Sequence, residues 1–370
     1  MNLIPRSFVI LTTFLTIHQV SMAKSELIEV ASFGKNQPIG LTVSPQSNRV
    51  FVSFPHREPF LYGLTEIIDG KRVPFPDESW NQFDRDDPKE HFVNVQDLYA
   101  DRENNLWVLD SAPAGNASIF GGSKAKEGQF KLIRIDLTKN QVADIYQFDD
   151  LPKAQSGLND VRIDHTHQLA YLSDPAMKAI VVLDLKTGKS RVVLKNDPST
   201  VAEPGFILKI EDREMRNASG HPFTSNVNGI ALTQDDRFFY FHAINRKDLF
   251  RIETRYLADP EIRPEVLSEK VEHVAQTGPC HGMIADAAGN IYLTNSPDHA
   301  IDYLTPSGEL KTLVTDERLS WPDSLGIGSD GFLYLSASQL NRLPSWNGGT
   351  DRVSYPFRVY KVKLPSSPTQ

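Results

Sequence analysis

The sequence predicts an all-β fold, a six-bladed β-propeller whose sixth blade is closed by the N-terminal strand. Three observations carry that prediction. One pattern occurs six times: a head residue, a small or acidic residue, an alternating run, a polar turn and a second alternating run. The heads are 57, 63, 69, 53 and 42 residues apart, too long for single hairpins and right for four-stranded units with variable loops. A strand-like segment near each end belongs to no complete unit, so the two can complete one blade between them and leave no free edge.

In chain order, the first stretch, MNLIPRSFVILTTFLTIHQVSMAKS, sets Arg6 before an apolar run from Phe8 to Ile17 and then Ser21-Met22-Ala23. That is the order of a secretory signal peptide over residues 1–23, with an apolar part too short to span a bilayer comfortably. The expectation is a single propeller domain over 24–370, secreted or periplasmic and not inserted in a membrane after signal removal. ELIEVASF (Glu26 to Phe33) is the first orphan strand.

The six copies start at Ile39 (IGLTVSPQSNRVFVSF), Gln96 (QDLYADRENNLWVLDS), Asn159 (NDVRIDHTHQLAYLSD), Asn228 (NGIALTQDDRFFYFHA), His281 (HGMIADAAGNIYLTNS) and Asp323 (DSLGIGSDGFLYLSAS). The third unit shows all four strands, DVRID, LAYLSD, AIVVLDL and SRVVL, with the turn Lys186-Thr187-Gly188-Lys189 between the last two. The last unit has a third strand in FRVYKVKL (Phe357 to Leu364) and no fourth. Glu26 to Phe33 is expected to supply it. Insertions fall at Asp77 to Asn94, Ala112 to Phe130 and Lys195 to Val227; the last carries Phe206, His221 and Phe223, residues able to fold over a cavity mouth.

Composition narrows the partners. Across 370 residues, 40% hydrophobic, 39 Lys+Arg stand against 47 Asp+Glu for a net charge of −8 without long like-charge blocks, which disfavours nucleic acid and anionic membranes. A monomer with a small-molecule ligand is expected. Cys280 is the only cysteine, so stability must come from packing and strand pairing without a disulfide. Asn116 and Asn217 head glycosylation sequons that matter only in a eukaryote.

In a propeller the first strand of each blade lines the central channel, so the six heads should form a ring at its mouth. Five of the six can hydrogen-bond, and buried polar groups must satisfy one another, hold water or hold a ligand. The candidate ligand-binding residues are therefore Gln96, Asn159, Asn228, His281 and Asp323. His281 and Asp323, on neighbouring blades, are the candidate catalytic pair: an imidazole shuttling a proton, oriented or charge-balanced by a carboxylate. A hydrated polar plug, with His281 a structural histidine, is the competing reading. Cys280 is not expected to act with His281, because adjacent residues point to opposite sides. Asp101, Asp164 and Asp286 read as turn formers, and Trp107, Tyr171, Phe239, Tyr292 and Tyr334 as inter-blade core. His165 and His167, in the turn DHTHQ, are expected to face solvent rather than a metal.

Several stretches resemble, in order, the major royal jelly protein and Yellow family, particularly its bacterial members. They are NQPIGLTVSPQSNRVFVSFPHR (Asn36 to Arg57), DGKRVPFPDESWN (Asp69 to Asn81), NNLWVLDS (Asn104 to Ser111), LAYLSDPAMKAIVVLDLKTGKSRVV (Leu169 to Val193) and LSWPDSLGIGSDGFLYLSASQLNRL (Leu319 to Leu343). The resemblance implies a secreted six-bladed propeller whose central mouth takes a small aromatic or amine ligand, with no cofactor; members are similar to dopachrome-converting enzymes, to salivary binders of biogenic amines and to nutritive secreted proteins, so binding alone and binding with tautomerisation both stay open. A more distant resemblance, to gluconolactonase-type propellers, implies a divalent cation held by a Glu, two Asn and an Asp at blade heads. By position this sequence offers Ile39, Asn159, Asn228 and His281 for those four. The alternative is thus a metal-dependent lactone hydrolase with one divalent cation on Asn159, Asn228, His281 and Asp323.

Overall fold

The computed structural model describes residues 26–84, 86–115, 117 and 125–365. The expected signal peptide, the Asn116 sequon and part of the Ala112 to Phe130 insertion lie outside them. The described residues form six four-stranded antiparallel sheets and one two-stranded hairpin. The innermost strands are Leu41–Val43, Val95–Ala100, Val161–Asp164, Val227–Leu232, Met283–Ala285 and Pro322–Ile327. Each packs against the next and the last against the first, so they close a ring. The only α-helices among the described residues are two of one turn or so, Thr254–Ala258 and Pro264–Ser268, both within the fourth blade.

Burial explains the pattern that the sequence displays. An inner or second strand is covered on both faces, and Val161–Asp164 and Leu169–Asp174 are buried at every position. An outermost strand is half covered, and Lys71–Pro74 alternates exposed and part-buried residues. One apolar cluster fills each of the six seams between blades, and Trp107, Tyr171, Phe239, Tyr292 and Tyr334 are among their members, as expected.

The sixth blade is closed as predicted. Leu27–Ser32 pairs antiparallel with Arg358–Lys363, with Leu27 opposite Val362 and Ser32 opposite Arg358. Two ends of the chain thus share one sheet.

Turns at the far end of the channel use the expected aspartates. Asp101 accepts the Glu103 and Asn105 amides and the Trp107 indole N–H, and Asp164 and Asp286 take turn amides together with the hydroxyls of Tyr171 and Tyr292. His165 and His167 do not share one site: the first reaches Asp101 and Glu103, the second Asp164. Across this end, Arg102 of blade two meets Asp236 of blade four at 2.6 Å.

Candidate functional site at the channel mouth

The residue after each head decides how closely two blades approach. A Cβ on Gly40 would stand 2.8 Å from the Gln96 carbonyl, on Gly229 2.7 Å from the His281 carbonyl, and on Gly282 1.8 Å from the Asp323 carbonyl. Glycine is required there because the next blade's backbone occupies the space. Where the slot holds Asp97, its carboxylate instead accepts the Val161 amide of the next blade at 3.0 Å. Hydroxyls opposite the slot tie heads across seams: Ser53 donates to the Gln96 carbonyl and Ser336 to the Ile39 carbonyl. The six heads therefore stand in order around one mouth.

Within that ring the Gln96 amide donates to Asn159 Oδ1 at 3.3 Å, and Asn159 Nδ2 donates to Asp160 at 2.7 Å. Asn228 is buried, and His281 is 1% exposed. Asp323 accepts from the Ser338 hydroxyl at 3.2 Å. Ile39, the apolar head, packs under a lid with Leu208, Ile210, Met215, Phe223, Trp321 and Leu340. The lid comes from the Lys195 to Val227 insertion, as its composition suggests: Lys209–Ile210 and Arg213–Glu214 form a hairpin, and Phe206 and Phe223 turn inward while His221 faces solvent. Glu211 in the hairpin turn clasps Arg342 of blade six at 2.6 Å. Burial works to raise the Glu211 carboxyl, but hydrogen bonding to that guanidinium leaves it below its ordinary range.

The side chains around His281 differ from the expected pairing. Its ring stacks on Trp321 at 3.9 Å between centroids, and Nε2 meets the Ser296 hydroxyl at 2.6 Å, not the Asp323 carboxylate. Burial pushes the imidazole down to about 3, so it is neutral at neutral pH. Cys280 is buried and pushed up to about 12, which makes it inert as a nucleophile.

Beside the head Asp323, the mouth gathers buried charged residues that the heads did not include. Arg162 spans the axis, its guanidinium 3.1 Å from Asp97 of blade two and 2.9 Å from the Met283 carbonyl of blade five. Asp97, Asp160 and Asp323 are near enough to repel one another. Burial, reinforced by these like charges, raises Asp160 well above the carboxylate range and brings Asp323 to about 7. Arg57, from the loop after the second strand of blade one, faces Asp323, and burial lowers its guanidinium to about 10. Three carboxyls therefore share two guanidinium groups, Arg57 and Arg162. An ionised cluster would be one positive charge short.

A hard divalent cation does not fit this donor set. Ile39 is apolar where a carboxylate is wanted, the Asn159 amide is spent on Gln96 and Asp160, and His281 Nε2 is taken by Ser296. Arg57 and Arg162 already supply positive charge, and no group of three or more His, Cys, Asp and Glu side chains among the described residues is arranged to hold a metal.

Of the missed residues, Asp97 and Asp160 occupy the small-or-acidic slot of the repeat itself, and Arg162 follows Asp160 at the strand period of two. Arg57 carries no such signal. It lies beside a groove of about 140 Å³ between Phe54, Phe60, Leu61 and Tyr355 at the mouth.

Comparison with known proteins agrees with this architecture. The sequence model of a family described as major royal jelly protein matches residues 93–368. A Yellow-related salivary protein of Lutzomyia longipalpis is 29% identical over 341 residues, covering 82% of this chain and 77% of that one. Among solved structures, a gluconolactonase of Xanthomonas campestris superposes with a TM-score of 0.54 at 10% identity, covering 92% of this chain and 90% of the other. A virginiamycin B lyase of Staphylococcus aureus does so with a TM-score of 0.51 at 14% identity, covering 92% and 100%. At such identities the likeness to these enzymes is one of fold.

Proposed function

The chain belongs to the major royal jelly protein family, and from that premise we propose that its lidded channel mouth binds a small aromatic amine and moves a proton on it. The carrying observation is the buried cluster of Asp97, Asp160 and Asp323 with two guanidinium groups, which one monovalent organic cation would bring to neutrality. Trp321, Phe223 and Ile39 supply the apolar cover that an aromatic ring needs.

A carboxyl titrating near neutrality suits tautomerisation: Asp323, at about 7, takes a proton from one position of the ligand and returns it to another, while the incoming ammonium displaces the proton of Asp160. His281 serves as a neutral hydrogen-bonding group, and Gln96, Asn159 and Asn228 hold polar substituents. Export fits the salivary relative and the lack of any described helix long and apolar enough to cross a membrane.

Calorimetry with tyramine in phosphate and in Tris, buffers of different ionisation heat, tests the reading. Binding should release protons near neutral pH, because the incoming ammonium replaces the proton held by the carboxyl cluster. Asp323→Asn should weaken binding about tenfold or more, the cost of leaving a buried charge unpaired. Affinity unchanged in Asp323→Asn, or no heat from any aromatic amine tried, would overturn the assignment.

A further inference from the structure

The seam between blades one and six opens into the groove beside Arg57, outside the ring of heads. Its volume of about 140 Å³ is close to the ~150 Å³ of a cavity that holds one benzene ring. Three stretches far apart in the chain build it: residues 35–37 before the first inner strand, residues 54–61 after the second strand of blade one, and Leu343, Tyr355 and Phe357 of blade six.

Aromatic rings make up most of its wall. Phe54 and Phe357 are buried, Phe60 is part-buried, and Tyr355 is exposed. Each is held by a neighbour. Phe54 packs edge-on to Phe33 at 5.0 Å between centroids and Tyr355 edge-on to Phe357 at 5.5 Å, while the Tyr355 hydroxyl donates to Asp351 at 2.9 Å. Asn36 Nδ2 donates to the Pro59 carbonyl and ties the first two stretches together. A slot built in this way is formed before a ligand arrives, so filling it costs little ordering entropy.

The charges in the lining are mostly positive. Lys35 lies over the Tyr355 ring, 5.6 Å from its centroid, and has no carboxylate partner among the described residues. Arg57 lines the groove as well, its Nη1 donating to Gln37 Oε1 at 2.8 Å. Glu58 is the one carboxylate there, and it is exposed. Two cations beside an apolar slot one ring wide complement a flat hydrophobic body that carries a negative charge. An ammonium would add a third cation and is disfavoured.

We propose that this groove binds a small aromatic carboxylate, its ring against Phe54, Phe60 and Tyr355 and its charge on Lys35 and Arg57. The site is separate from the channel mouth and does not rest on the amine reading, but a short path joins the two. Gln37, which accepts from Arg57, donates through Nε2 to the Ser338 carbonyl at 2.6 Å, and the Ser338 hydroxyl donates to Asp323 at 3.2 Å. Arg57 itself faces Asp323. A carboxylate in the groove therefore competes with Asp323 for one guanidinium.

Saturation-transfer NMR titration of the full chain with benzoate, at about pH 8 so that Asp323 is ionised, tests the assignment. Benzoate should bind with a Kd of about 1 mM or tighter. Benzyl alcohol, the same ring without the charge, should bind at least about fivefold more weakly. Lys35→Ala should weaken benzoate about two- to fivefold and Lys35→Arg should restore it. Leu61→Glu, at a position 50% exposed, sets a like charge on the rim and should weaken it about fivefold or more. Asp323→Asn, which removes the competitor for Arg57, should tighten benzoate about twofold or more. No benzoate bound at about 10 mM, or equal affinity for benzyl alcohol, would overturn the proposal. So would an affinity that Lys35→Ala and Leu61→Glu leave unchanged, or that Asp323→Asn lowers, since the ligand would then lie elsewhere.

Discussion

Asp323→Asn should stabilise the ligand-free protein at alkaline pH and leave it nearly unchanged in acid. The folded carboxyl keeps its proton up to about 7, against an ordinary 3.8, because it is buried beside other carboxyls. Its ionised form is therefore disfavoured by folding. The cost is absent well below 3.8, grows as pH rises towards 7, and is constant above that. Three units at ~1.4 kcal/mol each set a ceiling of ~4 kcal/mol. Asp323 retains part of its surface, and screening there brings the expected gain to about 1–2 kcal/mol. Urea unfolding of both proteins at about pH 8 and about pH 4 measures it, since the buried histidines are common to both and cancel. An equal difference at the two pH values, or a variant less stable at the higher one, would show that the carboxyl is not held in its acid form. A site that costs stability when empty and is relieved by a cationic ligand is what the charge count implies.

Two further outcomes test the frame around the site. Burial lowers His242 to about 4 and His281 to about 3 from an ordinary 6.5, so their stability is intact above 6.5 and is lost as pH falls through the interval. Urea midpoints should fall towards acid with up to ~1.4 kcal/mol per pH unit from each ring, and His242→Phe should reduce that slope; an unchanged slope would mean that the ring is not buried neutral. Gly282→Ala should cost ~3 kcal/mol or more, because its Cβ would lie 1.8 Å from the Asp323 carbonyl. Gly205→Ala, at φ +78° with open space around it, should cost only ~1–2 kcal/mol, and soluble yield with urea midpoints compares the two.

The propeller was legible because its repeat is a record of burial. Each inner strand is enclosed by two neighbours and each outer strand by one, so apolar runs recur with the blade period, and the orphan segments at the ends revealed the shared blade. The order of heads around the mouth followed from the same geometry. Their partners did not. Period-two reasoning can place Asp160 and Arg162 on one side of a strand, but nothing in the local sequence says that Arg162 reaches blades two and five. The expected tie between His281 and Asp323 failed because Ser296 and Trp321, from loops of unconstrained path, reach the ring first.

Closure by Leu27–Ser32 also orders events in time. The first described strand has its hydrogen-bonding partner in the last, so the sixth sheet has an unmatched edge until both have been made. Five sheets can assemble as they appear, yet the circle stays open until Arg358–Lys363 arrives.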